Sequence, residues 1–179
     1  GEAGVTSELG VGSTFWLTAR LKRKALSAER GSRSPHAGNA EGELRRLHHG
    51  RRVLVADDEP INRMVARSQL ETVGLIVDTA ENGAEAVAMA LKSRYAAILM
   101  DMRMPELDGL EATRRIRLIP RHGNTAIIAM TANVFAEDRA KCFQAGMDDF
   151  LMKPFSPEAL FGILLKRLGR QEVPAALTA

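Results

Sequence analysis

Cysteine is almost missing from this chain. A single residue, Cys142, among 179 excludes an internal disulfide and suits a reducing cytosol, where it packs as a small apolar side chain. Aromatic residues are scarce at 4%, and none interleaves with the Arg114-Arg-Ile-Arg117 run to stack bases. That run therefore reads as a solvated helix face and no nucleic-acid partner is expected. No stretch reaches the roughly 18 uninterrupted apolar residues of a membrane span, so no membrane contact is expected of this segment. No signal peptide is visible and the chain opens on Gly1, which points to a piece of a longer cytoplasmic protein, any membrane anchor lying upstream. What is plentiful is apolar content, 45%, enough for the core of one domain of ordinary size.

The net charge of +3 is unevenly placed. Residues 1–50 carry eight Lys/Arg against five Asp/Glu and residues 51–179 seventeen of each, so the basic excess belongs wholly to the leader. Two β-rich arms around Gly10 and Gly12 predict a hairpin within residues 5–21. Residues 25–50, rich in Ser, Gly, Arg and Ala, predict a flexible linker, and residues 171–179 a disordered tail. His48-His49 has no Cys or acidic partner at ligand spacing and predicts no metal site.

From residue 51 onward strands and helices alternate. Pro60 opens a first helix to Val73, with Ile61, Val65 and Leu70 inward and Gly74 at its end. Leu75-Ile-Val-Asp-Thr79 is a strand. Asn82 with Glu85 caps a helix whose apolar stripe is Ala86, Val87, Ala90 and Leu91, and Asp108 with Glu111 caps another to about Leu118. A further helix spans about 135–145 and stops at Gly146. Ser156 caps the last, with Pro157 at its first position and Leu160, Ile163, Leu164 and Leu168 buried. Five strands alternating with five helices predict an α/β fold, a doubly wound parallel sheet with right-handed crossovers.

The strand ends carry the chemistry. Arg52-Val-Leu-Val-Ala56 runs into Asp57-Asp58, and Ala97-Ile-Leu-Met ends on Asp101 before Pro105. Ala126-Ile-Ile-Ala-Met130 ends on Thr131, and Asp149-Phe-Leu-Met152 on Lys153-Pro154. In an open parallel sheet the carboxyl ends of strands are where ligands bind. Carboxylates gathered there repel one another, and a hard divalent cation with oxygen ligands relieves the repulsion.

Asp57-Asp58, Asp101, Thr131 and Lys153 together resemble the phosphoacceptor receiver domains of two-component signalling, over about residues 51–170. The interval 131 − 101 = 30 is the family's usual one. The phrases Met100-Asp-Met-Arg-Met-Pro-Glu-Leu-Asp-Gly-Leu-Glu-Ala-Thr113 and Met130-Thr-Ala-Asn-Val-Phe-Ala-Glu-Asp138 resemble receivers fused to sensor histidine kinases. Gly10-Val-Gly-Ser-Thr-Phe-Trp16 resembles the close of a histidine-kinase ATP-binding domain, which makes residues 1–24 a remnant of one. The helix, loop and lid that such a domain needs to bind ATP are not in this stretch.

The resemblance implies a flavodoxin-like strand order of 2-1-3-4-5 and phosphorylation of Asp101 from phosphohistidine. The donor would be a kinase dimerisation/phosphoacceptor domain or a histidine phosphotransfer protein. It further implies Mg²⁺ held by Asp58, Asp101 and the backbone carbonyl of Arg103, with Asp57 acting through water. Lys153 and Thr131 would contact phosphoryl oxygens, Thr131 and Phe150 would form a switch, and Lys153-Pro154 would be cis. Any catalysis by this chain would be its own phosphoryl transfer and dephosphorylation. Three rivals compete. An aspartate-nucleophile phosphatase usually places a second Asp two residues on, where this chain has Arg103. A flavin or nucleotide binder would want a phosphate cradle where Asp57-Asp58-Glu59 stands. A receiver-shaped interaction domain would never be phosphorylated.

Overall fold

The computed structural model describes residues 2–8, 10, 12–18, 40–132 and 136–170. Residues 25–39 of the expected linker, the expected tail at 171–179 and the helix start at Phe135 lie outside them. Among the described residues no helix is long and apolar enough to cross a membrane. The chain divides into two units, 1–32 and 33–179.

In the first unit, β1 (Ala3–Glu8) pairs antiparallel with β2 (Gly12–Leu17), Ala3 opposite Leu17 and Glu8 opposite Gly12. The turn needs left-handed backbone, which Gly10 (φ 83°) and Gly12 (φ 129°) supply. Opposite Trp16 stands Gly4, where a Cβ would lie 2.5 Å from the indole ring. The indole therefore lies across the neighbouring backbone. Phe15, at 79%, and Leu17, at 76%, remain exposed.

The second unit opens with α1 (Ala40–Leu47), followed by β3 (Arg52–Ala56), α2 (Pro60–Thr72), β4 (Ile76–Ala80), α3 (Gly83–Lys92) and β5 (Ala97–Asp101). Then come α4 (Gly109–Arg117), a 3₁₀ turn, β6 (Ala126–Thr131), α5 (Ala136–Ala145), β7 (Asp149–Met152) and α6 (Pro157–Arg170). The five strands β3 to β7 form one parallel sheet in the order β4-β3-β5-β6-β7, which is 2-1-3-4-5 counted within the sheet. Because crossovers place helices on both faces, the central strands are apolar on both sides. Val53, Val55, Leu99, Ile128 and Met130 pack with α1, α2 and α6. Leu54, Ala56, Ile98, Met100, Ile127 and Ala129 pack with α3, α4 and α5. Alternate residues of each strand thus serve two separate cores.

Capping follows the sequence. Asn82 Oδ1 accepts from the Glu85 backbone N–H at 2.8 Å, Asp108 Oδ1 from that of Glu111 at 2.8 Å, and Ser156 Oγ from that of Ala159 at 3.3 Å. Glu85 turns its carboxylate to the Glu81 N–H instead of completing a box on Asn82. Gly74 (φ 80°) and Gly146 (φ 97°) end α2 and α5 in the left-handed region.

The buried faces differ from expectation in two helices. Ile61 is 63% exposed and Val65 42%, while Ala66, Leu70 and Val73 form the inward stripe of α2. Ile61, Met64 and Val65 sit at i, i+3, i+4 on the opposite face, a spacing that marks an apolar face without saying which way it turns. Leu91 is 57% exposed because α3 turns its small residues, Gly83, Ala86 and Ala90, inward, and a Cβ at Gly83 would stand 2.3 Å from the Leu107 carbonyl oxygen and 2.9 Å from Ala112 Cβ.

The larger correction concerns the linker. Its last part, Ala40–Leu47, is a helix whose Ala40 and Leu44 are buried in the α6-side core, with Leu164 and Leu168 among its members. An Arg45 guanidinium N–H donates to the Thr72 carbonyl at 2.9 Å, tying α1 to the end of α2. Two apolar anchors four residues apart in polar sequence show little periodicity, and tertiary burial decides the helix. Leu44→Ala is expected to cost about 2–4 kcal/mol in chemical denaturation, the range for a buried leucine. A change within 0.5 kcal/mol, as at a surface site, would show that α1 is not part of the cooperative fold.

Candidate functional site

The carboxyl edge of the sheet gathers the predicted strand ends. β3 leads into Asp57 and Asp58, β5 ends on Asp101, β6 on Thr131, and β7 leads into Lys153, which a cis peptide joins to Pro154. Asp101 is registered with Met130, so Thr131 stands one residue further along the neighbouring strand. The Lys153 N–H donates to the Thr131 carbonyl at 2.7 Å, and the Met102 N–H to Met130, which holds the three strand ends in line.

The side chains converge. One oxygen from each of Asp57, Asp58 and Asp101 lies within 4.8 Å of the others. Lys153 Nζ donates to Asp57 Oδ2 at 2.5 Å and to Asp101 Oδ2 at 2.8 Å. The second oxygen of Asp57 accepts from the Glu59 N–H at 3.0 Å and from Asn62 Nδ2 at 3.1 Å, so Asp57, 1% exposed, is held on all sides. Asp58 is exposed. Arg63 donates to the carbonyls of Asp57 and Asp58 and fixes the backbone of the acidic loop.

Behind Asp101 the loop is closed by glycine. A Cβ at Gly109 would stand 2.0 Å from the Asp101 carbonyl oxygen, so only a bare backbone lets α4 start this close to the acceptor strand.

Burial raises the Asp101 pKa above the ordinary carboxylate value, Lys153 opposes that shift, Asp57 reinforces it, and the Arg103 backbone N–H opposes it. Burial pulls the Lys153 pKa down, but its bonds to Asp101 and Asp57 outweigh that and leave it raised. One ammonium is shared between two carboxylates with a third beside them, so the cluster keeps an excess of negative charge. A divalent cation with oxygen ligands suits that donor set, and the three carboxylates are the residues that could hold it. The Arg103 side chain is exposed.

Phe150, on β7 opposite Ala129, packs against the α4-side core, and the guanidinium of Arg139 covers its ring with Cζ 4.3 Å from the centroid.

Sequence reading also missed two polar side chains that hold the scaffold. His122, fully buried, donates from Nε2 to the carbonyls of Ala90 (2.9 Å) and Ser93 (3.0 Å), while Nδ1 meets Thr125 Oγ1 at 3.0 Å. Arg117 is not on a solvated face. It donates to the carbonyls of Gly146, His122 and Thr125 and to Asp148. Arg114 and Arg115 alone are surface residues, both paired with Glu111.

Comparison with known proteins agrees with this arrangement. The family model of the response regulator receiver domain matches residues 53–165. Hybrid signal transduction histidine kinase L of Dictyostelium discoideum is 44% identical over 124 residues, 64% of this chain and 7% of that protein. The aerobic respiration control sensor protein ArcB of Escherichia coli K12 is 35% identical over 167 residues, 93% of this chain and 20% of that protein. The chain therefore spans a small part of the curated relatives it matches. Among solved structures, the receiver domain of sensor histidine kinase PA1611 from Pseudomonas aeruginosa PAO1 is 43% identical with a TM-score of 0.64, covering 67% of this chain and 98% of that one. It carries a magnesium ion coordinated in its active-site cleft. With its family motif matched over most of its length and its sheet order and acidic strand ends in place, this chain belongs to the response regulator receiver domains.

Proposed function

We propose that Asp101 accepts a phosphoryl group from phosphohistidine within a hybrid-kinase phosphorelay. The observation that carries this reading is the three-carboxylate cluster at the strand ends, with one lysine shared between Asp57 and Asp101. An Asp101 carboxylate oxygen forms the new O–P bond as the N–P bond to the donor imidazole breaks, and the imidazole leaves with the electron pair of that bond and takes up a proton. Lys153, already within hydrogen-bond distance of the nucleophile, turns toward a phosphoryl oxygen, and Thr131 donates to another. Asp58, Asp101 and the Arg103 carbonyl would hold Mg²⁺, with Asp57 acting through water, and the ion would supply positive charge to offset the repulsion between an anionic nucleophile and an anionic phosphoryl group. The chain catalyses its own phosphorylation and dephosphorylation and, in the cytoplasm, switches its surface for signalling. A labile, hydroxylamine-sensitive phosphate distinguishes this reading from a receiver-shaped domain that is never phosphorylated.

The hairpin fits the end of a kinase ATP-binding domain. A match to ArcB over 93% of this chain must extend beyond residues 53–165 into the leader, which supports that reading. The donor would dock beside Asp58, where Ile61, Met64 and Val65 offer an exposed apolar face on the first turns of α2. Met64→Asp is expected to slow phosphotransfer from a histidine donor by at least about tenfold, worth about 1.4 kcal/mol at an interface hot spot, while labelling by acetyl phosphate is unchanged. Equal slowing of both would place the effect in the site itself.

Phosphorylation is read, in this proposal, through Thr131 and Phe150. The Arg139 guanidinium holds Phe150 in the conformation described, and movement of Thr131 toward the phosphate gives the ring room to turn inward. NMR with and without beryllofluoride should show shift changes at Phe150 and Arg139 as well as around Asp101. Changes confined to the neighbourhood of Asp101 would remove Phe150 from the switch.

A further inference from the structure

The amino edge of the sheet, opposite Asp101, holds a basic cavity that phosphoacceptance does not use. It is an open cleft of about 500 Å³, lined by residues that lead into three adjacent strands. These are Arg51 and Arg52 at β3, Arg94 and Tyr95 before β5, and Arg121 and Asn124 before β6. That volume falls in the usual range of small-ligand clefts, roughly 300–1,000 Å³.

Arg52, Arg94 and Arg121 bring three guanidinium groups to the cleft, and of these only Arg52 has a carboxylate partner among the described residues. Arg52 donates to Asp78 Oδ2 at 2.8 Å, and the Tyr95 hydroxyl donates to the same oxygen at 2.8 Å. Burial, with that hydrogen bond to Asp78, pushes the Tyr95 phenol up to about 12, so it stays neutral and adds no counter-charge. Arg94 and Arg121 are exposed and have no ion-pair partner among the described residues. Gathering like charges around one concavity costs energy unless an anion enters it.

We propose that this cavity binds a polyphosphate anion, either free or as the phosphate chain of a nucleotide. Planar guanidinium forks pair with phosphate oxygens in bidentate fashion, which selects phosphate over a simple halide. The entries of β3 and β6 flank β5 and stand roughly 10 Å apart, two inter-strand spacings. A di- or triphosphate bridges arginines on both sides, whereas one orthophosphate reaches only one side.

Calorimetric titration of the full chain with sodium tripolyphosphate tests this. In magnesium-free buffer the carboxyl-edge aspartates repel the probe, so the expected result is one saturable site. R94A/R121A should weaken binding at least about tenfold, R94K/R121K should be intermediate because charge remains without the fork, and R67A, on the outside of α2, should match the parent. Orthophosphate should bind at least about tenfold more weakly than tripolyphosphate. Affinity for ATP equal to that for tripolyphosphate assigns the site to the phosphate chain alone, and tighter binding of ATP assigns it to a nucleotide. The proposal is overturned by absence of saturable binding, by equal affinity for orthophosphate, or by undiminished binding in R94A/R121A, the result expected if the basic leader captures the probe. All three substitutions lie on exposed side chains, and a thermal melt of each variant that matches the parent keeps a loss of binding attributable to the cavity.

Discussion

Asp101→Asn is expected to abolish labelling by acetyl phosphate, a loss of more than about a thousandfold, or about 4 kcal/mol in the barrier. The substitution keeps size and shape at a position whose side chain is 13% exposed, so the loss reports the nucleophile and not the fold. Asp58→Ala leaves that nucleophile in place and removes a carboxylate from the cluster, and it should reduce labelling to the level the parent shows in EDTA. Undiminished labelling in EDTA, or a stable phosphate on another residue, would sink the proposed mechanism.

The same variant has a second readout. Burial holds the folded-state pKa of Asp101 above its unfolded value, so between those two values the folded chain binds the proton more tightly. Stability from this group is therefore greatest at low pH and is lost as pH rises through the folded pKa. At neutral pH the charged carboxylate is a burden on the metal-free fold. Asp101→Asn should accordingly raise the thermal midpoint of the metal-free protein at pH 7 and shrink the increase that added Mg²⁺ produces, since an ion that binds only the folded state stabilises by mass action. An equal Mg²⁺-dependent increase in parent and variant would show that Asp101 takes no part in holding the ion.

Arg117→Met is expected to be the most damaging substitution outside the apolar core. Arg117 Nε donates to Gly146 at 2.8 Å, and one terminal nitrogen donates to His122 at 2.8 Å and Thr125 at 2.7 Å. The other meets Asp148 Oδ2 at 2.8 Å, and that oxygen also accepts the Ile127 N–H at 2.7 Å. One guanidinium thus joins α4, the 3₁₀ turn, the start of β6 and the connection from α5 to β7. Methionine keeps the apolar stem but removes the guanidinium bonds to three carbonyls and a carboxylate. At about 1 kcal/mol for each lost bond, discounted for partial exposure of the ion pair, the expected cost is about 3 kcal/mol, or roughly ten degrees in thermal midpoint. Arg115→Met, which loses only an exposed pair with Glu111, should stay within about 0.5 kcal/mol of the parent. Equal losses in the two variants would show that the Arg117 bonds add nothing to stability.

The contrast between Arg115 and Arg117 shows where sequence reading stops. The run Arg114-Arg-Ile-Arg117 reads as one charged helix face, and periodicity places Ile116 inward, but nothing local says that the last arginine lies over the carbonyls of a turn five to eight residues on. Ile61 and Leu91 fail for a related reason. A helix with apolar residues on two faces must present one of them to solvent, and the choice belongs to whatever packs on the other. In α3 the buried face is the small one, Gly83, Ala86 and Ala90, with Gly83 set against Leu107 and Ala112 of the following loop and helix.

Local chemistry, by itself, determined the parts with short-range causes. Apolar runs ended by Asp57, Asp101, Thr131 and Lys153 set the strands and their ends, because a strand buried on both faces cannot carry a charge until it emerges. Asn82, Asp108, Gly74 and Gly146 set helix boundaries through hydrogen bonds and backbone freedom within a few residues. Only the tertiary structure decided that Leu44 would be covered and so make a helix of linker-like sequence, that Arg139 would sit over Phe150, and that Lys153 would be divided between Asp57 and Asp101. Each of these joins residues far apart in the chain, and its free energy appears only once the sheet has brought them within a few ångströms, where burial and Coulomb terms exceed any local preference.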